Sequence, residues 1–265
     1  MKLAGKTIVL TGAGSGIGRA LAREIVSVGG RVVGLDIRPA GLAETGAELG
    51  EAFISRTLDV TDKAAVARLP AQLADEVGPI DCLINCAGMI QPFIRFGDLT
   101  DETIARVLEV NFFGTLAMTR AFLPHLLARP EAQLVNFGSM SSIAPLPGQS
   151  IYGVSKAAIK LLTESLYAEY LDSSLQVTLI LPGAVATAIS HNSGIAVPTS
   201  ASTSNRPREV ASAEDAAHTI LAGIEAGAFR VLVDKMVIDV DTAYRADPQA
   251  AVEGIARSFG GLLSG

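Results

Sequence analysis

Tyr152 and Lys156 stand four positions apart at the start of an apolar-periodic segment, and Ser139 lies thirteen positions before the tyrosine, just past the strand-like run Gln133-Leu134-Val135-Asn136-Phe137. On a helix, the i,i+4 spacing puts both side chains on one face. A phenol has an ordinary pKa of about 10, and bringing it to about 7 needs roughly 4 kcal/mol of preference for the phenolate. One ammonium about 4 Å away, at an effective dielectric of about 20, supplies roughly that much. Such a set can move a proton to or from an oxygen atom: the serine orients the oxygen, the tyrosine exchanges the proton and the lysine sets the phenol's acidity. Tyr-x-x-x-Lys also occurs by chance on surface helices, so the rest of the chain must decide.

The elements that would hold these residues alternate along the sequence. Short aliphatic or β-branched runs at Lys6–Thr11, Arg31–Asp36, Ala52–Leu58, Ile80–Asn85, Gln133–Phe137, Gln176–Leu181 and Arg230–Val233 predict strands. Segments of 3.6-residue periodicity near Gly16–Val28, Ala40–Leu49, Asp62–Val77, Asp101–Leu127, Tyr152–Leu171 and Ala213–Ala226 predict helices. Apolar strands separated by helices imply an α/β fold of the Rossmann type, a doubly wound, mostly parallel seven-stranded sheet with helices on both faces. The 265 residues are expected to form one domain. The Ser/Thr/Ala/Pro-rich stretch Ser190–Ser212 is long for a loop in a compact domain, so 188–212 is expected to be a mobile substrate loop.

The first strand runs into Thr11-Gly12-Ala13-Gly14-Ser15-Gly16-Ile17-Gly18. The glycines miss the G-x-G-x-x-G register and fit G-x-x-x-G-x-G through Gly12, Gly16 and Gly18. Four glycines in seven residues between a strand and a helix let backbone N–H groups, including those near Ser15 and Ile17, approach a pyrophosphate. Asp36, closing the second strand, can accept hydrogen bonds from a ribose diol and would repel a 2′-phosphate, which favours NAD; Arg38 leaves room for NADP. Asp59, next to Val60, can contact an adenine amino group if Thr61 or Asp62 caps the following helix. Asn85-Cys86-Ala87-Gly88 ends the fourth strand at the edge where open α/β sheets bind ligands, with Ala87 and Gly88 small enough for close backbone approach. Pro182-Gly183 ends the sixth strand likewise, with Thr187 placed to reach a carboxamide or phosphate.

Bulk properties remove other classes of function. A net charge of −6 with no Lys/Arg cluster argues against nucleic acid and anionic membranes as partners. No run of about 18 apolar residues is present to span a membrane. Cys82 and Cys86 would lie about 13 Å apart on a strand, too far for a disulfide, and read as reduced thiols of a cytoplasmic protein. Three scattered histidines, His125, His191 and His218, offer no metal-ligand spacing. A composition 49% hydrophobic and 18% charged favours self-association.

Together these pieces resemble the short-chain dehydrogenase/reductase family in its classical branch, closely over about residues 4–187. The glycine loop, Asn85-Cys86-Ala87-Gly88, Val110-Asn111-Phe112-Phe113-Gly114, the Ser139/Tyr152/Lys156 set and Pro182-Gly183-Ala184-Val185-Ala186-Thr187 match the family's motifs in order. Cysteine at 86, in place of the family's second asparagine, is a mild departure. The resemblance implies hydride exchange between a nicotinamide and a secondary alcohol or ketone, with Tyr152 as general acid/base and Ser139 orienting the substrate oxygen. Lys156 would lower the phenol and bind the nicotinamide ribose, and Asn111 would hold a water that links Lys156 to solvent. Pro182, Gly183, Val185 and Thr187 would hold the nicotinamide.

A neutral alcohol or ketone suits the mainly apolar lining expected from Gln91, Phe93, Phe96, Ser141, Ile143 and Gln149, with Arg95 or Arg206 as alternative anchors for an anion. An NADPH-dependent carbonyl reductase, and a non-catalytic dinucleotide-binding regulator, remain alternatives. The family's long helices imply a homodimer or homotetramer, with Leu108, Leu116, Leu162 and Leu166 either on the contact or packed as core against the sheet. The tail from Asp234 to Gly265 departs from the family's Gly-Gly ending and carries one expected helix near Pro248–Phe259.

Overall fold

The computed structural model describes residues 1–187, 189–195 and 210–263. Seven strands form one sheet: β1 (Thr7–Thr11), β2 (Arg31–Asp36), β3 (Phe53–Thr57), β4 (Cys82–Asn85), β5 (Ala132–Phe137), β6 (Leu175–Leu181) and β7 (Arg230–Leu232). The order is β3-β2-β1-β4-β5-β6-β7 and every neighbouring pair is parallel. The winding reverses between β1 and β4, so a crevice opens at their carboxyl ends.

Alternation along each strand feeds two cores. On one face Ile8, Leu10 and Ile84 meet Leu21 and Ile25 of α1 (Gly16–Ser27) and Ile220 and Ile224 of α8 (Ala213–Glu225). On the other, Val9, Leu83 and Leu134 meet Leu73 of α3 (Lys63–Val77), Met118 and Phe122 of α5 (Thr115–Leu127), and Leu166 of α6 (Ser150–Glu169). The remaining helices are α2 (Pro39–Leu49), α4 (Asp101–Leu108), α7 (Ile189–Asn192), α9 (Lys235–Ala246) and α10 (Pro248–Phe259).

Three sequence expectations are corrected. The predicted helix Asp101–Leu127 is interrupted by a π-helical turn, Glu109–Gly114, which widens the coil and leaves Asn111 fully buried. The tail holds a second helix, α9, started by Asp234, whose carboxylate accepts from the Val237 amide at 3.0 Å, and it packs Val237 against Met140, Leu179 and Leu181. Leu166 is core, Leu162 packs against it, and Leu108 and Leu116 are half-buried, so they do not make an open contact face. The exposed stripe of α6 is Val154, Ala157, Leu161, Ser165 and Ala168. Most of the expected loop 188–212, Arg206 included, lies outside the described residues. Its flanks are joined where the Ala186 amide donates to Ala211 O at 2.9 Å. No helix among the described residues is long and apolar enough to cross a membrane.

Candidate active site

A cleft of about 330 Å³ sits at the carboxyl ends of β1, β4 and β5, lined by the glycine loop, the ends of β2 and β4, Ser139, Tyr152, Lys156 and the Pro182–Thr187 turn. The loop is built so that no side chain can enter it. Gly12 has φ +74, and a Cβ there would stand 3.1 Å from the Ala87 backbone; a Cβ on Gly18 would stand 2.1 Å from the Gly12 carbonyl oxygen. Helix α1 then begins at Gly16 behind Ser15, which makes no side-chain cap, so the positive end of the helix faces the cleft. This cradle, which a Cβ would fill, fits a dinucleotide pyrophosphate.

The end of β2 supplies the second half of that fit. Asp36 is buried, its Oδ2 accepting from the Gly14 amide at 3.0 Å and its Oδ1 from the Arg38 amide at 3.0 Å. The Arg38 side chain folds back, Nε 3.6 Å from Asp36 Oδ1, and donates from Nη2 to Ser15 Oγ at 2.9 Å. Asp62 caps α3, accepting from the Ala64 and Ala65 amides at 3.1 and 3.0 Å. Asp59 is therefore not the cap; it lines the cleft beside Val60 and accepts from Thr61 Oγ1 at 2.8 Å.

On the opposite wall, Ser139 and Tyr152 line the cleft together. Burial pushes the Tyr152 phenol above its ordinary value, and the neighbouring Ser139 hydroxyl offsets only part of this. Lys156 is only 5% exposed; burial lowers its ammonium from 10.5 to about 8. Its Nζ donates to the Phe137 carbonyl at 2.9 Å and lies 6.0 Å from the Tyr152 ring centroid. The expectation that this ammonium alone sets the phenol near 7 does not hold in this arrangement: burial outweighs the influences that lower it. Cys86 also lines the cleft, with burial pushing its thiol up to about 12, so it is neutral and a poor nucleophile.

Several bonds fix α6, which carries both residues. The Ser139 amide donates to Ser142 Oγ at 3.0 Å, and Ser142 Oγ donates to the Lys156 carbonyl at 2.8 Å, tying the serine turn to the second turn of the helix. Ser155 Oγ donates to the Tyr152 carbonyl at 2.7 Å and accepts from Asn111 Nδ2 at 3.0 Å. The first turn is held by Gln91, whose Oε1 accepts from the Ile151 and Tyr152 amides at 2.8 and 3.0 Å. Losing a helix cap of this kind costs about 0.5–2 kcal/mol.

The sequence-derived site is thus brought together except at eight positions, of which Phe93, Phe96 and Ile143, expected in the apolar lining, do not line the cleft. Gln91 and Gln149, expected to contact substrate, are 0% and 1% exposed, do not line the cleft and bond each other's backbone neighbourhood. Ser141 is buried outside the cleft, its amide donating to Ser139 Oγ at 3.1 Å. Asn85 points away into the core, donating to Thr119 Oγ1 and Asn136 Oδ1 at 3.1 and 2.9 Å. Asn111 lies behind the cleft wall, where its side chain bonds both the amide and the carbonyl of Met89. Cleft residues that sequence reasoning missed include Ile37, Met89, Ile90, Arg106, Asn192 at the end of α7 and Ser193 just after it. Asn192 Nδ2 donates to Ser15 Oγ at 3.1 Å, and Ser193 Oγ accepts from the Ile90 amide at 3.1 Å, so this segment bridges the two lips. Only its position just after the Pro-Gly turn hinted at that.

Comparison with known proteins agrees with this geometry. The family model described as short chain dehydrogenase matches residues 6–197. SadH of Mycobacterium tuberculosis is 34% identical over 272 aligned positions, covering 96% of this chain and 97% of that protein. A sorbitol dehydrogenase of Cereibacter sphaeroides is 36% identical over 191 positions, 70% of this chain and 72% of its own length. Among solved structures, a short-chain dehydrogenase/reductase from Burkholderia phymatum in complex with NAD superposes with TM-score 0.83 at 26% identity, covering 94% of this chain and 96% of that one. A short-chain dehydrogenase from Burkholderia cenocepacia in complex with NADP does so at 0.80 and 28%, covering 96% and 99%. The expected fold and family both stand: this chain belongs to the short-chain dehydrogenases/reductases and is an NAD(P)-dependent oxidoreductase acting on CH–OH groups.

Proposed function

We propose that the chain interconverts a small, uncharged secondary alcohol and its ketone with NAD, Tyr152 being the general acid/base. The observation that carries this reading is that Ser139, Tyr152 and buried Lys156 line the same cleft as the glycine cradle. The nicotinamide, when bound, supplies the acceptor or donor of hydride. The chain's own residues do the rest. Ser139 orients the substrate oxygen, and Tyr152 takes its proton in oxidation or returns one in reduction. Lys156 stabilises the phenolate and the nicotinamide ribose. A Cβ on Gly88 would stand 3.3 Å from Asn111 Oδ1 and 3.4 Å from Lys156 Nζ, so a side chain there would crowd both groups. Because the phenol is held above its ordinary value, alcohol oxidation is expected to keep rising with pH into the alkaline range, while ketone reduction, which needs the protonated phenol, falls there.

A panel of secondary alcohols followed by NADH absorbance tests this reading. No turnover of any alcohol or ketone with either cofactor would defeat it. Arg38 favours a second reading, NADP use, because its guanidinium already stands at the ribose end of the cleft. Asp36→Ala should raise the NADP:NAD preference at least tenfold, and Arg38→Ala should lower it. The exposed α6 stripe, with Leu161 65% exposed, supports a homodimer; Leu161→Glu should shift the species seen by light scattering to the monomer. The free thiols of Cys82 and Cys86 support a cytoplasmic location.

A further inference from the structure

We propose that Gln91 is a positioning residue for the reaction: its buried amide fixes the first turn of α6 and so sets where the Tyr152 hydroxyl stands. The inference rests on the reading of Tyr152 as the acid/base.

An α-helix begins with backbone N–H groups that lack intrahelical partners, normally answered by the residue just before the helix. In α6 that residue is Gln149, which makes no side-chain cap; its Oε1 is buried without a partner. The cap comes instead from the loop after β4. Gln91 Oε1 accepts from the Ile151 and Tyr152 amides at 2.8 and 3.0 Å, across separations of 60 and 61 residues. The remaining polar atoms lock the arrangement: Gln91 Nε2 donates to the Gly148 carbonyl at 3.0 Å, and the Gln91 carbonyl accepts from Gln149 Nε2 at 2.7 Å.

Gln91 is 0% exposed, so no water competes for these bonds. The residue is thus spent on holding the helix and has nothing to offer a substrate. Its loop also carries Gly88, on the cofactor side of the cleft. One amide therefore connects that side directly to the main chain of the tyrosine. The clamp is covered from outside, since Leu263 and Phe93 both stand 3.2 Å from where a Cβ on Gly148 would lie.

The test compares the wild type with Gln91→Met, which keeps the length and removes the amide, and Gln91→Glu, which keeps an acceptor oxygen facing the two N–H groups. Amide hydrogen exchange of the 149–156 segment, NAD affinity, and kcat and KM on an alcohol from the panel are measured for each. The expected result is exchange at Ile151 and Tyr152 at least tenfold faster in Gln91→Met. Its kcat should fall at least tenfold, with KM and NAD affinity within about twofold of wild type; Gln91→Glu should recover kcat to within about threefold. If Gln91→Met does not fold, Gln91→Asn, too short to reach both amides, replaces it. Unchanged exchange overturns the clamp whatever Tyr152 does. Faster exchange with unchanged kcat, or a loss shared equally by kcat and NAD affinity, overturns the positioning role. If Tyr152→Phe keeps its turnover, the reading of the tyrosine fails, while the exchange result still judges the clamp.

Discussion

Two helix starts border the same cleft, and their backbone N–H groups are treated in opposite ways. At α1 the chain strips side chains from the turn and leaves the start uncapped, so its amides and the helix dipole address the cleft. At α6 the amides of Ile151 and Tyr152 are consumed by a glutamine from a distant loop. The first start suits an anion that comes and goes; the second suits a side chain that must not move. The same backbone feature therefore binds in one place and positions in the other, and the difference lies in who answers the N–H groups.

The sharpest break of this comparison is Tyr152→Phe. Turnover should fall by about a thousandfold or more, while NAD affinity measured by fluorescence titration stays within about threefold, because the lost hydroxyl belongs to the positioned side alone. Gly18→Ala attacks the other side. Its Cβ would stand 2.1 Å from the Gly12 carbonyl oxygen, so the loop must shift, and NAD affinity should weaken by about a hundredfold in the same titration.

Lys156→Met should end turnover and yet stabilise the free protein at neutral pH, as read by thermal melting. The folded lysine titrates at about 8 against 10.5 when unfolded. Between those values the unfolded chain holds more protons, so wild-type stability rises with pH across that window, and below it the charge carries its full cost of up to about 3 kcal/mol. The stabilisation by Lys156→Met should accordingly be largest below pH 8 and vanish towards 10.5. Ser15→Ala should change stability by less than about 0.5 kcal/mol, since Ser15 caps nothing; Ser212→Ala, which removes the α8 cap on the Asp215 amide, should cost about 1 kcal/mol in chemical denaturation.

Sequence alone exposed the uncapped start far better than the capped one. The glycine loop works through local spacing, so Gly12, Gly16 and Gly18 were readable, and so were Asp36 at a strand end and the Tyr152/Lys156 pair one helical turn apart. Gln91 was misread as a substrate contact because its partners lie about sixty residues away and a buried glutamine looks like any polar residue near a pocket. Asn85 was misassigned for the same reason: only the packed sheet shows its amide turned towards Thr119 and Asn136. The π-turn at Asn111 leaves hydrophobic periodicity nearly intact, so one long helix was the natural expectation. In α9, the cap Asp234 and the apolar Met236, Val237 and Val240 were legible in principle, but the short β7 before them blurred the boundary. Lys156 stands in the cleft one turn from Tyr152, as its spacing implies, whereas its effect on the phenol depends on burial, which spacing does not report.

The bond from the Gly183 amide to Asp234 Oδ2, 2.8 Å long, joins residues 51 positions apart. The carboxylate that pins the Pro182-Gly183 turn is thus also the residue that starts the tail's first helix. During synthesis, a nascent chain that has emerged only through β6 already has its glycine loop, serine and tyrosine, but the turn beside them is still untethered. The turn is tethered only once Asp234 has followed β7 out, so the segment after the last strand helps to shape the cleft rather than trailing from it.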